Sequence, residues 1–192
     1  MYYIILILNI LPRLVVTLSD SVSHAIGLYV RFLCFLITKK LRRNNFGWKF
    51  IFLFEGKKFE ICLFEGSPDI AALKEIFLDK EYEWARIKDP KIILDLGAHT
   101  GNTALYFHLK YPKATIYAIE ASPKNYERLT ANVRHVPEIK PVYGAVSDID
   151  GVMTFFESES SLGSSIYQRE GTSIEIDVPS FTLETFFNKN NL

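Results

Sequence analysis

The stretch from Ile92 to Gly101 constrains the fold of this chain more than any other. It is an apolar, β-branched run that ends in a turn with two glycines, Ile-Ile-Leu-Asp-Leu-Gly-Ala-His-Thr-Gly. Such a run is typical of a parallel strand that is covered on both faces of a sheet. Gly97 and Gly101 let the backbone turn sharply or approach a ligand closely, and the helix predicted after them directs its amino end at the turn. The stretch therefore predicts a ligand cradle at the carboxyl end of a strand.

Strands and helices alternate after this turn. Apolar periodicity and turn residues predict two helices, Thr103–Tyr111 and Lys124–Val133, and two strands, Thr115–Ile119 ending in Glu120 and Pro141–Val146 ending in Ser147-Asp148. The alternation indicates parallel βαβ units with right-handed crossovers, and so an α/β fold. Two more strands and a helix capped by Thr182 are predicted farther along, at Val152–Phe156, Ile174–Val178 and Phe181–Phe187.

The chain before the central strand divides into two parts. Residues 46–90 contain a predicted β-hairpin, Trp48–Phe64, and a helix, Ile70–Leu78. Residues 1–45 contain apolar runs followed by a basic cluster, Lys39, Lys40, Arg42 and Arg43. Two interpretations of this segment stay open: helices packed on the domain or on a partner, or a membrane-associated anchor with the basic cluster on an anionic cytoplasmic face. With residues 91–192 as the α/β core, we expect three parts.

Composition narrows the function classes. The chain has 22 Lys and Arg against 22 Asp and Glu, so no net charge steers it toward nucleic acid. Cys34 and Cys62 lie in apolar runs without metal-site spacing, which predicts buried, reduced thiols and a cytoplasmic location, with membrane association through residues 1–45 as the alternative. The four histidines are scattered, and we expect no metal site.

The glycine spacing excludes phosphate-binding turns. Asp95-x-Gly97-x-x-x-Gly101 matches neither the dinucleotide fingerprint nor the P-loop, and it favours a ligand without a pyrophosphate. Glu120 ends the next strand, where a carboxylate can accept hydrogen bonds from a ribose diol. Asp148 follows the third predicted strand, beside Ala145 and Val146, where an adenine would lie in the same crevice. Asp95, Glu120 and Asp148 are thus expected in one row along the carboxyl edge of the sheet.

These residues resemble class I S-adenosylmethionine-dependent methyltransferases, and in particular the FkbM-type family. The resemblance covers roughly residues 50 to 187 and depends on the order of Ile92–Thr103, Ile119–Pro123, Leu129–Val133, Gly144–Asp148 and Val178–Glu184. It implies a Rossmann-like sheet and methyl transfer from S-adenosylmethionine to an oxygen, often a sugar hydroxyl of a glycan or natural product.

The resemblance also implies roles for individual residues. The methionine part of the cofactor would contact Asp95, Gly97, Ala98, His99, Thr100, Gly101 and Asn102. Glu120 would hold the ribose hydroxyls, with Ala121 beside it, and Ala145, Val146 and Asp148 would lie near the adenine. His99 is interpreted as a turn residue that contributes its backbone rather than as a base, and no catalytic residue is assigned.

The sequence departs from the family at its end. The family continues beyond Leu183-Glu184 with an acidic strand and more of the sheet, whereas this sequence ends at Leu192. In this fold strand Ile92–Leu96 is normally central, so we expect an incomplete sheet with an exposed apolar edge, either in a fragment or covered by a partner. Two rival functions remain at this stage, a nicotinamide-dependent oxidoreductase and a non-catalytic, membrane-associated protein.

Overall fold

The computed structural model describes residues 9–38, 47–64, 68–83, 87–158 and 173–192. The chain forms two compact units, residues 1–87 and 88–192. The basic cluster Lys39–Arg43 lies outside the described residues. Within them, no helix is both long enough and apolar enough to cross a membrane.

The first unit consists of helices and a β-hairpin. Its elements are α1 (Leu11–Thr17), α2 (Val22–Thr38), β1 (Gly47–Phe54), β2 (Lys57–Phe64) and α3 (Asp69–Leu73), which continues as a π-helical turn, Lys74–Leu78. The predicted hairpin is confirmed, with β1 and β2 antiparallel. Glu55 and Gly56 have φ values of 49° and 74°, the positive values that a two-residue type I′ turn requires.

The N-terminal helices pack on the hairpin. The rings of Phe32 and Phe50 stack with centroids 4.5 Å apart, and Phe35 meets Phe50 edge-on. Pro12 does not break α1, because it occupies the first turn, where a missing N–H costs no helical hydrogen bond. The three-part division predicted from composition stays a prediction. The prediction that both thiols are buried is wrong, since Cys34 is exposed and Cys62 half-buried: an apolar helix packed on one side still turns another side to solvent.

The second unit begins with a parallel βαβαβ segment. It comprises β3 (Ile92–Leu96), α4 (Asn102–Lys110), β4 (Thr115–Glu120), α5 (Pro123–Val133) and β5 (Ile139–Tyr143), with strand order β3-β4-β5. Both pairings are parallel, and the predicted α/β fold is confirmed. Among the residues described, β3 pairs only with β4, and Ile92 and Leu96 are exposed. The apolar edge expected from the sequence is therefore present.

A second sheet follows. It contains β6 (Ala145–Val146), β7 (Gly151–Ser158) and β8 (Ser173–Phe181) in the order β6-β8-β7, and α6 (Leu183–Asn190) completes the unit. As predicted, Thr182 caps this last helix: its hydroxyl oxygen accepts a hydrogen bond from the Thr185 N–H at 3.1 Å.

The third predicted strand, Pro141–Val146, is wrong at its carboxyl end. Strand β5 ends at Tyr143, and Gly144 has a φ of 142°. A Cβ at Gly144 would lie 2.9 Å from the carbonyl oxygen of Pro179, so only glycine fits this close approach. The chain leaves the first sheet here, and Ala145 and Val146 pair with β8 instead. The apolar sequence pattern continues across Gly144, because the segments before and after it both pack against other elements. The pattern therefore did not predict the end of β5 at Tyr143.

Candidate functional site

The turn between β3 and α4 is held in a left-handed backbone conformation. Gly97, His99 and Gly101 have φ values of 80°, 51° and 90°. The N–H groups of Gly97 and Ala98 both donate to the carbonyl oxygen of Ile119, at 2.9 Å each. The turn is thereby attached to the last residues of β4, next to Glu120.

Helix α5 packs against the same turn. A Cβ at Gly101 would lie 2.8 Å from Leu129 Cδ1, so this glycine is required by contact as well as by φ. Buried Asn132 donates from Nδ2 to the carbonyl oxygen of Thr100 at 2.8 Å. At Gly97, by contrast, an added Cβ would meet nothing within 4 Å. The turn is therefore close-packed on its α5 side and open at Gly97, where a ligand can approach the backbone.

Glu120 is buried at the end of β4 and bound by backbone N–H groups. Its Oε2 accepts from the His99 N–H at 2.8 Å, and its Oε1 accepts from the Ser122 N–H at 2.9 Å. Burial raises the pKa of Glu120, while these N–H groups and the Asn125 side chain oppose the rise. These hydrogen bonds fix the orientation of the carboxylate at the carboxyl end of β4.

Asp95 is the second acid of the site. Its Oδ2 is buried and makes no hydrogen bond with any part of the chain that the structure describes. Burial and, to a smaller extent, the charge of Glu120 together raise the pKa of Asp95 to about 7, against the opposing effect of the Ala104 backbone N–H. A buried acceptor without a partner costs about 1–3 kcal/mol. Asp95 is therefore suited to a ligand that brings a donor or a positive charge.

The remaining predicted residues divide into two groups. Asn102 begins α4 beside Thr100. Ala121 packs in one cluster with Ala145. Just before Ala145, the Gly144 N–H donates to the Glu120 carbonyl oxygen at 3.0 Å. Val146 is half-buried on β6. Asp148 is exposed, and its Oδ1 accepts from the neighbouring Ser147 hydroxyl.

The expected row of three acids is thus wrong in its third member. Asp148 does not follow a strand of the β3-β4-β5 sheet, because the chain leaves that sheet at Gly144. Asp95 and Glu120 do lie together, close enough for the charge of one to raise the pKa of the other.

Sequence reasoning missed two residues that shape the site. Asn132 fixes the turn, and Ser122 caps α5 by accepting from the Asn125 N–H at 3.2 Å. Ser122 also donates to the carboxylate of Glu157 on β7. The signal for Ser122 was the Ser-Pro pair before a helix. Asn132 had a weaker signal, a polar residue between the apolar positions of an amphipathic helix.

Comparison with known proteins identifies a related family. The model of the "Methyltransferase FkbM domain" matches residues 95–192. The 31-O-demethyl-FK506 methyltransferase FkbM of Streptomyces tacrolimicus is 36% identical over 88 residues, which is 43% of this chain and 34% of that protein. Methyltransferase 1 of Beauveria bassiana is 40% identical over 60 residues, or 31% of this chain and 24% of that protein. The chain therefore matches only about a quarter to a third of the length of these relatives.

Solved structures resemble the chain more weakly. Aeropyrum pernix fibrillarin, solved with bound S-adenosyl-L-methionine, aligns with 26% identity and a TM-score of 0.33, over 54% of this chain and 43% of that one.

Proposed function

Because the chain belongs to the FkbM methyltransferase family, we propose that its second unit binds S-adenosylmethionine and presents it for methyl transfer to an oxygen. The observation that carries the proposal is the pair Asp95 and Glu120 beside the open backbone at Gly97. A buried carboxylate with an unpartnered oxygen favours a cationic ligand, and this cofactor carries an ammonium group and a sulfonium.

Each residue of the site then has a task. Asp95 accepts from the ammonium group, whose positive charge returns this carboxyl to its ionised form. The turn Gly97–Gly101, with Asn102, lies along the methionine part. Glu120 accepts from the ribose hydroxyls with oxygens already oriented by the His99 and Ser122 N–H groups.

The adenine has its own predicted contacts. Ala121, Ala145, Val146 and Asp148 would lie beside its ring. Ala121 and Ala145 share an apolar cluster, which supports a role for them at the flat face of an aromatic base.

When bound, S-adenosylmethionine supplies a methyl group that passes from its sulfur to a nucleophile, with S-adenosylhomocysteine as the leaving group. The contribution of this chain is to hold the donor in one orientation, which lowers the entropic part of the barrier. A hydroxyl acceptor also needs a base for its proton. The name of the Streptomyces relative denotes an O-methyltransferase, which supports an oxygen acceptor, and a sugar or glycan hydroxyl is the acceptor we propose.

Calorimetric titration tests cofactor binding. The wild-type chain is titrated with S-adenosylhomocysteine and with NAD, and the first ligand alone is expected to bind. Asp95→Asn and Glu120→Gln should each weaken that binding by about tenfold or more, since a hydrogen bond to a charged group contributes about 1.5–3 kcal/mol. Asp177→Asn and Glu175→Gln, exposed on β8, are the matched controls and should bind as wild type.

The alternatives give different results. Binding of NAD alone would indicate a nicotinamide-dependent oxidoreductase. If neither ligand binds to a folded chain, the non-catalytic alternative is favoured. The acceptor is tested separately with methyl-tritiated S-adenosylmethionine and a panel of sugars, glycans and amines: label in an ether-linked methyl group supports the proposal, and label found on nitrogen contradicts it.

A further inference from the structure

Helix α2 has two apolar faces, and only one of them is covered. Leu28, Phe32 and Phe35 are buried against the hairpin. Val22, Ile26 and Val30 recur at four-residue spacing on the opposite side and are 78%, 60% and 52% exposed. An amphipathic helix on a protein surface normally presents polar residues there, so the second face needs a different explanation.

Helix α1 extends this exposed surface. Val16 is 67% exposed, and a groove of about 660 Å³ runs between α1 and α2. Val16, Val22 and Ile26 line it, together with half-buried Tyr29. We call Val16, Val22, Ile26, Tyr29 and Val30 the docking face. Contiguous exposed apolar surface of this kind marks an interaction site for a protein or a membrane.

The docking face itself carries no charge. The charged residue of α2 is Arg31, and its guanidinium donates from Nε to the Lys49 carbonyl oxygen at 2.8 Å and lies 5.8 Å from the Trp48 ring. Asp20 lies at one end of the groove, where it accepts from the Ser21 hydroxyl and lies 3.1 Å from His24 Nδ1. Placing this face against hydrocarbon would therefore leave Arg31 with its protein partners.

The uneven distribution of charge along the sequence favours an anionic partner. Residues 1–54 contain seven Lys and Arg against one Asp, a net charge of +6, whereas the rest of the chain carries −6. Four of the seven basic residues, Lys39, Lys40, Arg42 and Arg43, follow α2 directly in the sequence. Basic residues next to an apolar helical surface are typical of helices that lie in the headgroup region of anionic membranes.

We propose that the docking face lies on a membrane surface that contains anionic lipid. The apolar side chains enter the boundary between headgroups and acyl chains, and the net positive charge of residues 1–54 is attracted to the anionic headgroups. This inference is independent of the cofactor site.

Flotation of the full chain with lipid vesicles tests the proposal. The vesicles contain phosphatidylcholine alone or phosphatidylcholine mixed with phosphatidylserine. We expect binding only when phosphatidylserine is present, and weaker binding as salt is added, because salt screens the attraction. The double variant Val22→Ser with Ile26→Ser should bind about tenfold more weakly, since two exposed aliphatic side chains no longer enter the lipid.

Two further variants sharpen the test. The control pair, Val152→Ser with Ile174→Ser, removes side chains that are 71% and 67% exposed in the second unit and should leave vesicle binding unchanged. Replacing Lys39, Lys40, Arg42 and Arg43 together by serine should weaken binding by about tenfold or more. Circular dichroism checks that each variant is folded.

Three results would overturn the proposal. The first is a folded wild-type chain that does not float with phosphatidylserine vesicles. The second is an equal loss of binding in the control pair. The third is a dimer in analytical ultracentrifugation that Val22→Ser with Ile26→Ser dissociates while no vesicle binding occurs, which would assign the face to a second copy of the chain.

Discussion

Replacing Asp95 by asparagine should stabilise the second unit at high pH and much less at low pH. The pKa of this carboxyl is about 7 in the folded chain, against an ordinary value of 3.8. Between these values the folded state holds a proton that the unfolded state has released, so the free energy of unfolding falls as pH rises. Relative to a carboxyl with the same pKa in both states, the free energy of unfolding is lower by about 2 kcal/mol at about pH 5 and by about 4 kcal/mol at about pH 8. The variant has no such cost.

The pH dependence of the difference is the quantity to measure. A buried asparagine amide without partners has its own cost of about 1–3 kcal/mol, but that cost does not vary with pH. The advantage of Asp95→Asn over wild type should therefore grow by about 2–3 kcal/mol between about pH 5 and about pH 8. A flat difference across this range would refute the argument that burial, with the neighbouring Glu120, disfavours the charge.

The two-unit organisation offers a convenient assay. Hydrogen–deuterium exchange of peptides from β1 and β2, measured in urea, reports the first unit and serves as an internal control. Hydrogen–deuterium exchange of peptides from residues 88–120, measured in urea, reports the second. Asp177→Asn, which replaces an exposed carboxylate on β8, is the matched control variant.

Three more predictions concern the turn and its ligand. Gly101→Ala places a Cβ 2.8 Å from an α5 side chain at a residue with left-handed φ. It should lower the free energy of unfolding in urea by about 3 kcal/mol. Gly97→Ala has open space around the new Cβ and should lower it by only about 1 kcal/mol, while weakening S-adenosylhomocysteine binding in calorimetry. A larger cost at Gly97 than at Gly101 would be inconsistent with this packing. Asn132→Ala removes the Nδ2 group that donates to the Thr100 carbonyl oxygen and should lower the free energy of unfolding by about 2 kcal/mol. Amide exchange in the turn should become faster, and unchanged exchange would mean that the bond does not fix the turn. The ammonium group of S-adenosylhomocysteine is expected to bind the ionised form of Asp95. The ligand should therefore bind about tenfold more weakly at about pH 6 than at about pH 8, and Asp95→Asn should remove that pH dependence. A wild-type affinity that is equal at both pH values would count against the contact.

The sequence alone determined the elements whose signals are local. The strand Ile92–Leu96 was predicted with its observed bounds, and Glu120 was placed correctly at the end of the next strand. The hairpin and the Thr182 cap were also predicted correctly. Their signals are the alternation of apolar and polar residues, the glycine turn and the capping residue, which each act over a few positions. The same local signals identified the cradle at Gly97 and Gly101.

Only the tertiary structure decided how these elements meet. Gly144 moves the chain into a second sheet, so that Asp148 does not follow a strand of the β3-β4-β5 sheet. This exit depends on the close approach of Gly144 to Pro179, which is 35 positions away in the chain. The bond from Asn132 to Thr100 spans 32 positions. The pKa of Asp95 likewise depends on burial and on Glu120. Local patterns specify backbone conformation, whereas the distances, burial and dielectric environment that determine chemistry arise only when residues remote in sequence pack together.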